Sequence, residues 1–367
     1  MKMSLKRGQC PLILLLLLVL SCGGEDPVSP APEPQGPDSG LPGPGGNTDP
    51  PKNPWDANRG KIVTPPAGSG WISTTIQEGL VYYSFSGLDA ISNAKQRVFV
   101  ADVDLNSKKY AVKLEYHSPG MKTSEVFKEY NALVSMNAGY ERESIVIKVD
   151  GQRYSVMPND VVGTTTVPNW KSEAAIYLDG DMDVRIAFVA RTQFPNLYKS
   201  DQDLDRVDIN YELRKFYTFS KERNILSSAP MLLDDFEPVG ENFVNPKLTT
   251  EQISALDYEN PDRHQGVRHP RTVFAKTENN HALFIVIDGR RSNLSEGMTA
   301  KEATRFLVKY FNPQYAINLD GGGSSALCVM GKGDSQTHVV NYPSDNGDSA
   351  SHSGERAVNS HLYVIER

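Results

Sequence analysis

The residues from Ala316 to Ser325 hold the chain's clearest chemical signal: an apolar run, then Asp320, three glycines and two serines. A short apolar run that closes in a turn predicts a buried strand whose end is exposed, so we expect Asp320 at a rim. Consecutive glycines let the backbone approach a ligand and point its amides at an anion. The alternative is a tight hairpin, for which Asp-Gly is typical. The third glycine and the paired serines exceed what such a turn needs, so we favour a site.

A second strand ends in the same way, because the apolar run Leu283 to Ile287 leads directly into Asp288. Between the two runs, Thr299 to Phe311 has helical periodicity. A strand–helix–strand connection is right-handed and makes its strands parallel, which places Asp288 and Asp320 at the same sheet edge. Glycoside hydrolysis uses two carboxylates, one as acid and one as base or nucleophile. The sequence leaves open which residue plays which role.

The elements around these strands are mainly alternating or apolar runs bounded by turn signals, which predict more strands. Asp150-Gly151 and Asp179-Gly180 are hairpin signals between such runs. The helix should begin at Thr299, since Thr299 and Glu302 have the spacing of a capping box. We therefore predict an α+β fold, with a large mixed, mostly antiparallel sheet, few helices and a surface cleft at one strand edge. The further predicted strands are Arg97 to Leu105, Tyr110 to Tyr116, Ser144 to Val149, Tyr154 to Met157, Glu173 to Leu178 and Val184 to Ala190.

The N-terminus resembles an export signal. Basic residues precede the leucine-rich run Pro11 to Leu20, which is too short for a permanent membrane span. The sequence Val19-Leu20-Ser21-Cys22 resembles the lipobox of bacterial lipoproteins, so we predict a signal peptide over 1–21 and acylation of Cys22. The alternative is a secreted protein cut elsewhere. A Pro- and Gly-rich tether over 22–69 and a folded domain over 70–367 would follow, anchored in the bacterial cell envelope, at the periplasmic face or the cell surface.

Composition argues against several classes of partner. The net charge is −7 without a basic cluster, which argues against nucleic acid. Only Cys22 and Cys328 remain after the signal, so no disulfide framework is expected. We expect no metal and no cofactor: Arg206 stands where an EF-hand needs glycine in the acidic segment 201–212. The histidines at 264, 269 and 281 lack zinc-site spacing and are expected in loops or strands.

Six short motifs occur in the order found in one family. They are Ser135 to Tyr140, Ser228 to Leu232, Arg268 to Thr272, Asp288 to Arg290 with Ser295 to Thr299 and Glu302, Asn318 to Ser325, and Glu355 to Asn359. This order resembles the phosphodiester glycosidase domain, the domain of the mammalian uncovering enzyme. The resemblance runs from about Asn137 to the C-terminus. It implies hydrolysis of a glycosyl-1-phosphodiester, such as an N-acetylglucosamine-1-phosphodiester, or of a related glycan linkage.

The site residues that we predict lie in these motifs. Arginine matches a phosphodiester with a planar pair of donors, so Arg271, Arg290 and Arg356 are candidates for phosphate contacts, each with an ordinary ion pair as its alternative. The glycine turn and its serines are candidates for an anion nest. Glu302 joins the catalytic candidates Asp288 and Asp320, although its capping box already accounts for it. The predicted substrate-binding set is Asn137, Arg271, Thr272, Arg290, Ser295, Asn318, Gly321, Gly322, Gly323, Ser324 and Arg356.

Two functional hypotheses remain. One is a lipid-anchored glycosidase, and the other is a surface lipoprotein that binds glycans without cleaving them. Two carboxylates at one strand edge among arginines favour the enzyme, because binding alone does not require them. The chain departs from the family at Glu141, where an aromatic residue is usual, and at the acidic segment Pro195 to Tyr211. These departures affect the choice of substrate.

Overall fold

The computed structural model describes residues 63, 65–66, 68–140, 144–155, 169–180, 183–198, 206–346 and 350–367. The signal peptide, Cys22, most of the tether, Glu141 and the segment 199–205 lie outside the described residues, so the predictions about them stay predictions. Within the described ranges, no helix is both long and apolar enough to cross a membrane.

Strands dominate the described part of the chain. In chain order they are β1 Trp71–Gln77, β2 Leu80–Asp89, β3 Ala94–Asp104, β4 Tyr110–Met121, β5 Val134–Asn137, β6 Ile147–Val149, β7 Gln152–Ser155, β8 Ala174–Leu178, β9 Val184–Ala187, β10 Ile225–Ser228, β11 Met231–Leu233, β12 Arg271–Lys276, β13 His281–Ile287, β14 Tyr315–Asn318, β15 Leu327–Val329 and β16 Val358–Glu366. The α-helices are α1 Thr123–Glu129, α2 Val189–Gln193, α3 Arg206–Phe219, α4 Thr250–Ala255, α5 Pro261–Gly266 and α6 Ala300–Tyr310.

The strands form three sheets. The seven-stranded sheet has the order β1-β2-β3-β13-β12-β14-β11, the five-stranded sheet β7-β6-β10-β8-β9, and the four-stranded sheet β15-β5-β16-β4. Neighbouring strands pair antiparallel in each described sheet, as in β12 with both β13 and β14. The α+β class with mostly antiparallel pairing is confirmed, and the strands are divided among three sheets rather than gathered in one.

The two strands that carry the aspartates are parallel to each other, as predicted, but β12 lies between them and pairs antiparallel with both. The ends of β13 and β14 therefore meet the start of β12 at one sheet edge, which we call the rim. Asp288 and Asp320 both lie at the rim because each follows its strand directly or by one residue.

Two clusters of apolar side chains cover the two faces of the seven-stranded sheet. Along β13, Leu283 and Ile285 pack with Phe306 of α6, whereas Phe284 and Val286 pack toward residues of the other two sheets. This division follows from the alternation of side chains along a strand, with both faces buried. The core thereby fixes β13 and α6, and with them the rim.

The local predictions around α6 and the hairpins agree with the structure. Thr299 Oγ1 accepts from the Glu302 amide at 3.1 Å, and Glu302 Oε2 accepts from the Thr299 amide at 2.9 Å, which is a complete capping box. Asp150-Gly151 joins β6 to β7, with both residues at positive φ. Some boundaries were wrong: β4 extends to Met121 rather than ending at Tyr116, and β6 begins at Ile147 rather than at Ser144. The chain also leaves β9 after Ala187 and forms α2, because a short apolar run does not distinguish strand from helix.

Candidate active site

Three chain segments pack closely at the rim. A Cβ atom on Gly289 would lie 2.6 Å from the Pro270 nitrogen, and one on Gly321 would lie 2.6 Å from the Pro270 carbonyl oxygen. A side chain at either glycine would push the segments apart. The two glycines that follow the aspartates thus let the peptide of Pro270 lie between the two strand ends.

Asp320 is half-buried and leads into the glycine turn. Its amide donates to Ala138 O at 3.0 Å, and its carbonyl accepts from Asn137 Nδ2 at 2.7 Å, so its backbone is fixed from β5. The following 3-10 helix, Gly322–Ser324, begins with Gly322 at a φ of 63°. Asp320 therefore stands at the rim with a rigid backbone, as predicted.

Three amides of this turn already have partners within the fold, so these three do not contribute to the predicted anion nest. The Gly322 amide donates to Pro270 O at 2.9 Å, the Ser324 amide to Gly321 O at 3.2 Å and the Ser325 amide to Gly322 O at 3.3 Å. Amides that are already bonded within the fold are poor donors to a ligand, because binding would break those bonds. The Ser325 hydroxyl is likewise turned inward, where its Oγ lies 3.1 Å from Thr272 Oγ1.

Arginine side chains cover the same turn. Arg290 is exposed and has a φ of 62°, and its Nη2 atom lies 3.0 Å from where a Cβ on Gly322 would stand. The Arg356 guanidinium would overlap a Cβ on Gly323, and its Nη1 donates to Ser324 Oγ at 3.4 Å. The structure thus places Arg290 and Arg356 over two consecutive glycines, which are the second and third residues after Asp320.

Asp345 is a site residue that the sequence did not single out. It is exposed, on the 3-10 helix Ser344–Asn346, and accepts from Arg356 Nη2 at 2.7 Å. Its neighbour Ser344 accepts from Arg290 Nη1 at 3.4 Å. In the sequence, Asp345 has the appearance of any solvated loop carboxylate, so no local signal identified it.

Asp288 is buried, with 3% of its surface exposed, rather than open at the rim. Its carboxylate accepts from Asn341 Nδ2 at 3.2 Å and from the Tyr342 amide at 3.1 Å. Burial raises the pKa of Asp288 to about 7, opposed by these hydrogen bonds and by the positive charges of Arg291 and Arg97. The carboxylate therefore fixes the start of the loop that carries Asp345, which is a positioning role. The assignment of Asp288 to substrate chemistry stays a prediction, to which the structure adds this positioning role.

Ser295 also has a structural position. It is buried, its Oγ donates to the Asp288 carbonyl at 2.7 Å, and it accepts from the Arg97 amide at 3.0 Å. These bonds tie the turn after β13 to β3. The predicted substrate contact of Ser295 is not supported, because a buried hydroxyl with these partners faces the protein.

Arg271 is the clearest correction. The side chain is 1% exposed, and all three of its nitrogens are bonded within the fold. Its Nε donates to Met298 O at 2.8 Å, Nη1 donates to Gln265 Oε1 at 2.8 Å, and Nη2 donates to carbonyls around α5, including Val267 O at 3.0 Å. Burial lowers the pKa of Arg271 to about 10. A guanidinium occupied in this way has no free face for a phosphate, so it holds α5 against the rim.

Three further predicted contacts form a buried polar network below the turn. Asn137, Thr272 and Asn318 are each at most 1% exposed. Thr272 Oγ1 donates to Asn137 Oδ1 at 3.1 Å, and Asn137 Oδ1 also accepts from the Ala326 amide at 3.0 Å. Asn318 Nδ2 donates to Tyr140 Oη at 2.8 Å. These side chains hold the strands together and do not reach the surface, so their assignment to substrate binding is corrected.

Glu302 has a full set of structural partners. Besides capping α6, its Oε1 atom accepts from Arg268 Nη2 at 2.7 Å. Arg268 also pairs with Glu296 at 2.6 Å. Capping and this ion pair explain Glu302 without catalysis.

His269 is a second rim residue that the sequence analysis did not assign to a site. Both ring nitrogens are buried without a hydrogen-bond partner among the described residues. Burial and the charges of Arg271 and Arg290 lower its pKa to about 3. Its ring contacts Tyr258, with centroids 6.1 Å apart. The sequence spacing excluded a zinc site but gave no indication of these neighbours.

The described residues contain no group of three or more His, Cys, Asp or Glu side chains placed to hold a metal ion. Cys328 is buried on β15 as a free thiol.

The sequence model of a family described as phosphodiester glycosidase matches residues 143–365, which is more than half of the chain. No curated protein matches the chain.

Solved structures with similar folds include the zebrafish N-acetylglucosamine-1-phosphodiester alpha-N-acetylglucosaminidase catalytic domain, auto-inhibited by its pro-peptide. It is 18% identical, with a TM-score of 0.48, over 84% of this chain and 87% of that one. A hypothetical protein from Synechocystis is 13% identical, with a TM-score of 0.45, over 82% of this chain and 64% of that one. A putative exported protein from Burkholderia pseudomallei is 12% identical, with a TM-score of 0.45, over 83% and 98% of the two chains.

Proposed function

The chain belongs to the phosphodiester glycosidase family, and from that premise we propose that it hydrolyses a glycosyl-1-phosphodiester at the rim. N-acetylglucosamine-1-phosphodiesters and related glycan linkages are the substrate class. The observation that carries the proposal is the placement of Arg290 and Arg356 over Gly322 and Gly323, two and three residues after Asp320.

The arginines suit the anionic part of such a substrate. A phosphodiester carries one negative charge, which guanidinium groups bind in a planar, paired geometry. The Asp345 carboxylate that pairs with Arg356 is exposed, so a bound phosphoryl group competes with a weak surface ion pair. The anion can therefore enter between the two arginines without breaking a buried interaction.

The leaving group explains why one accessible carboxylate is sufficient. When the bond between C1 of the sugar and the phosphate oxygen breaks, its electron pair stays with a phosphate monoester, whose second pKa is about 6. Such a group leaves without full protonation if nearby cations stabilise its charge, which Arg290 and Arg356 do. The need for a second, proton-donating carboxylate is correspondingly smaller.

Asp320 is the residue that we assign to the attack on C1. As a base it takes a proton from the water whose oxygen bonds to C1, and as a nucleophile it bonds to C1 first and water then releases the sugar. The stereochemistry of the released sugar distinguishes these routes. Asp288 contributes through the loop that it holds.

The test of the substrate class is release of free N-acetylglucosamine from its methyl-phosphate diester by the purified protein. We expect release from this diester, with Arg290→Met lowering kcat/KM at least tenfold. Saturable binding of the diester without any cleavage would replace the enzyme with a glycan-binding protein.

We further infer that the enzyme acts in the bacterial cell envelope, anchored through acylated Cys22. The basis is the lipobox-like sequence alone. Mass spectrometry of the N-terminal peptide from membranes tests it: acylated Cys22 supports the anchor, and an unmodified residue at a different cleavage site contradicts it. A Cys22→Ser variant should leave the membrane fraction.

A further inference from the structure

The backbone of His269 is held at the centre of the rim. Its amide donates to Met298 O at 3.4 Å, and its carbonyl accepts from the Met298 amide at 3.1 Å. A Cβ on Gly289 would lie 2.9 Å from its carbonyl carbon, and a Cβ on Gly297 would overlap its carbonyl group. The backbone of His269 is therefore fixed by close packing between two glycine turns.

The ring itself has polar atoms that the fold does not use. Both Nδ1 and Nε2 are buried and make no hydrogen bond to the described residues. A buried polar group without a partner is destabilising, because it has lost its hydrogen bonds to water. By contrast, His281 at the other end of β13 bonds Asp102 through Nδ1 at 2.7 Å. Because these ring nitrogens lie among the arginines of the proposed site, we expect a ligand to provide their missing hydrogen-bond partner.

The groups that face the ring make it a neutral donor. The positive charges are Arg271 of β12, Arg290 of the turn after β13 and Arg263 of α5. The aromatic neighbours are Tyr258 and His264, with ring centroids 6.1 and 6.4 Å away. Three positive charges and burial disfavour imidazolium. A neutral imidazole has one N–H donor and one acceptor nitrogen.

We propose that His269 contacts the phosphoryl group of the substrate, donating its ring N–H to an oxygen that Arg290 also binds. The acceptor nitrogen is then available to a sugar hydroxyl. The side chains of Arg290 and Tyr258 are exposed at the rim, so the proposal requires one of them to move and admit the phosphoryl group to the ring. This inference deepens the proposed function and rests on it for the substrate, but its anion contact is measurable without catalysis.

The test is a titration of the whole protein with inorganic phosphate, in which the NMR resonances of the histidine rings are recorded at each phosphate concentration. We expect the His269 resonances to move, and to stay unmoved in Arg290→Met. We expect His269→Ala to raise the Kd for phosphate at least tenfold, because a hydrogen bond to a charged group is lost, and His269→Gln to restore part of the affinity. The matched control is His281→Gln, which should leave the Kd unchanged.

The melting temperature of each variant is measured to show that it is folded. If His269→Ala does not fold, the inference is judged from the His269 ring resonances of the unmutated protein. Resonances of His269 that stay fixed at saturating phosphate, or a Kd within twofold of the unmutated value in folded His269→Ala, overturn the inference. If phosphate moves the His269 ring but the protein hydrolyses no phosphodiester, the anion contact stands and the proposed function fails.

Discussion

Arg271 and Arg290 lie on either side of the same rim, yet their surroundings are opposite. Arg271 is 1% exposed, and its three nitrogens donate to the protein. Arg290 is exposed, beside Gly322, and its guanidinium makes one hydrogen bond to the described residues, the 3.4 Å contact to Ser344. Chemistry alone made both residues candidates for phosphate contacts. The difference teaches that the free donors of an arginine, rather than its presence in a motif, decide whether it can bind substrate.

The same division separates the other site candidates. One group, the rim floor, consists of the buried side chains Asn137, Arg271, Thr272, Asp288, Ser295 and Asn318. The other group, the rim surface, consists of Arg290, Asp320, Asp345 and Arg356, which are exposed or half-buried. We expect changes in the rim floor to act on folding and changes in the rim surface to act on activity.

The largest expected effect is on stability at the rim floor. Arg271→Met leaves the carbonyls around α5 without their donor, and we expect the free energy of unfolding to fall by about 3–5 kcal/mol. The matched change Arg290→Met removes an exposed side chain and should cost less than about 0.5 kcal/mol. Urea unfolding of both variants provides the measurement. Equal losses of unfolding free energy in the two variants would contradict the different burial of the two arginines.

Asp288 gives the rim floor a pH dependence. Its pKa is about 7 in the folded protein, above the ordinary value in the unfolded chain, so the folded state holds the proton more tightly. The resulting stabilisation is fully present below about pH 4 and is lost as the pH rises to about 7. Relative to Asp288→Asn, the unmutated protein should lose roughly 3 kcal/mol of unfolding free energy between these pH values. Stability curves that run parallel across this range would contradict the burial of Asp288.

A methyl group on the glycine turn tests the rim surface. Gly323→Ala places a Cβ where the Asp345 carboxylate and Arg356 guanidinium lie. Since both side chains can move, we expect a stability loss of no more than about 1 kcal/mol. The kcat/KM for the phosphodiester should fall at least tenfold, because the arginine is displaced. The control is Gly180→Ala, where the nearest atom to the new Cβ is 4.0 Å away. An unchanged kcat/KM in Gly323→Ala would mean that Arg356 does not contribute to substrate binding or catalysis.

The smallest effect is expected at Glu302. Glutamine keeps the capping box but weakens the ion pair with Arg268, so Glu302→Gln should cost about 0.5–1 kcal/mol in stability. Steady-state kinetics should show kcat within a factor of about two of the unmutated value. A loss of kcat beyond a hundredfold, with the melting temperature preserved, would return Glu302 to the catalytic residues.

The sequence predicted correctly those features that depend on interactions between residues close together in the chain. Strand β13, helix α6 with its Thr299 cap and the parallel direction of β13 and β14 follow from periodicity, capping chemistry and the handedness of crossover connections. The burial of Arg271 depends on the carbonyls of α5, and that of Asp288 on the loop at Asn341. Asn341 lies 53 residues from Asp288. The α5 carbonyls are only four to seven residues before Arg271, but they surround its side chain only because α5 forms there, which the motif does not encode. Asp345 and His269 were missed for the same reason.

The most direct test of the account is the rate at which Asp320→Asn releases N-acetylglucosamine from its methyl-phosphate diester. Asparagine preserves the shape of the side chain and removes its charge, and we expect kcat to fall by about 10²–10⁴ with an unchanged melting temperature. A variant that keeps kcat within tenfold of the unmutated protein would contradict the claim that this rim hydrolyses the substrate through Asp320.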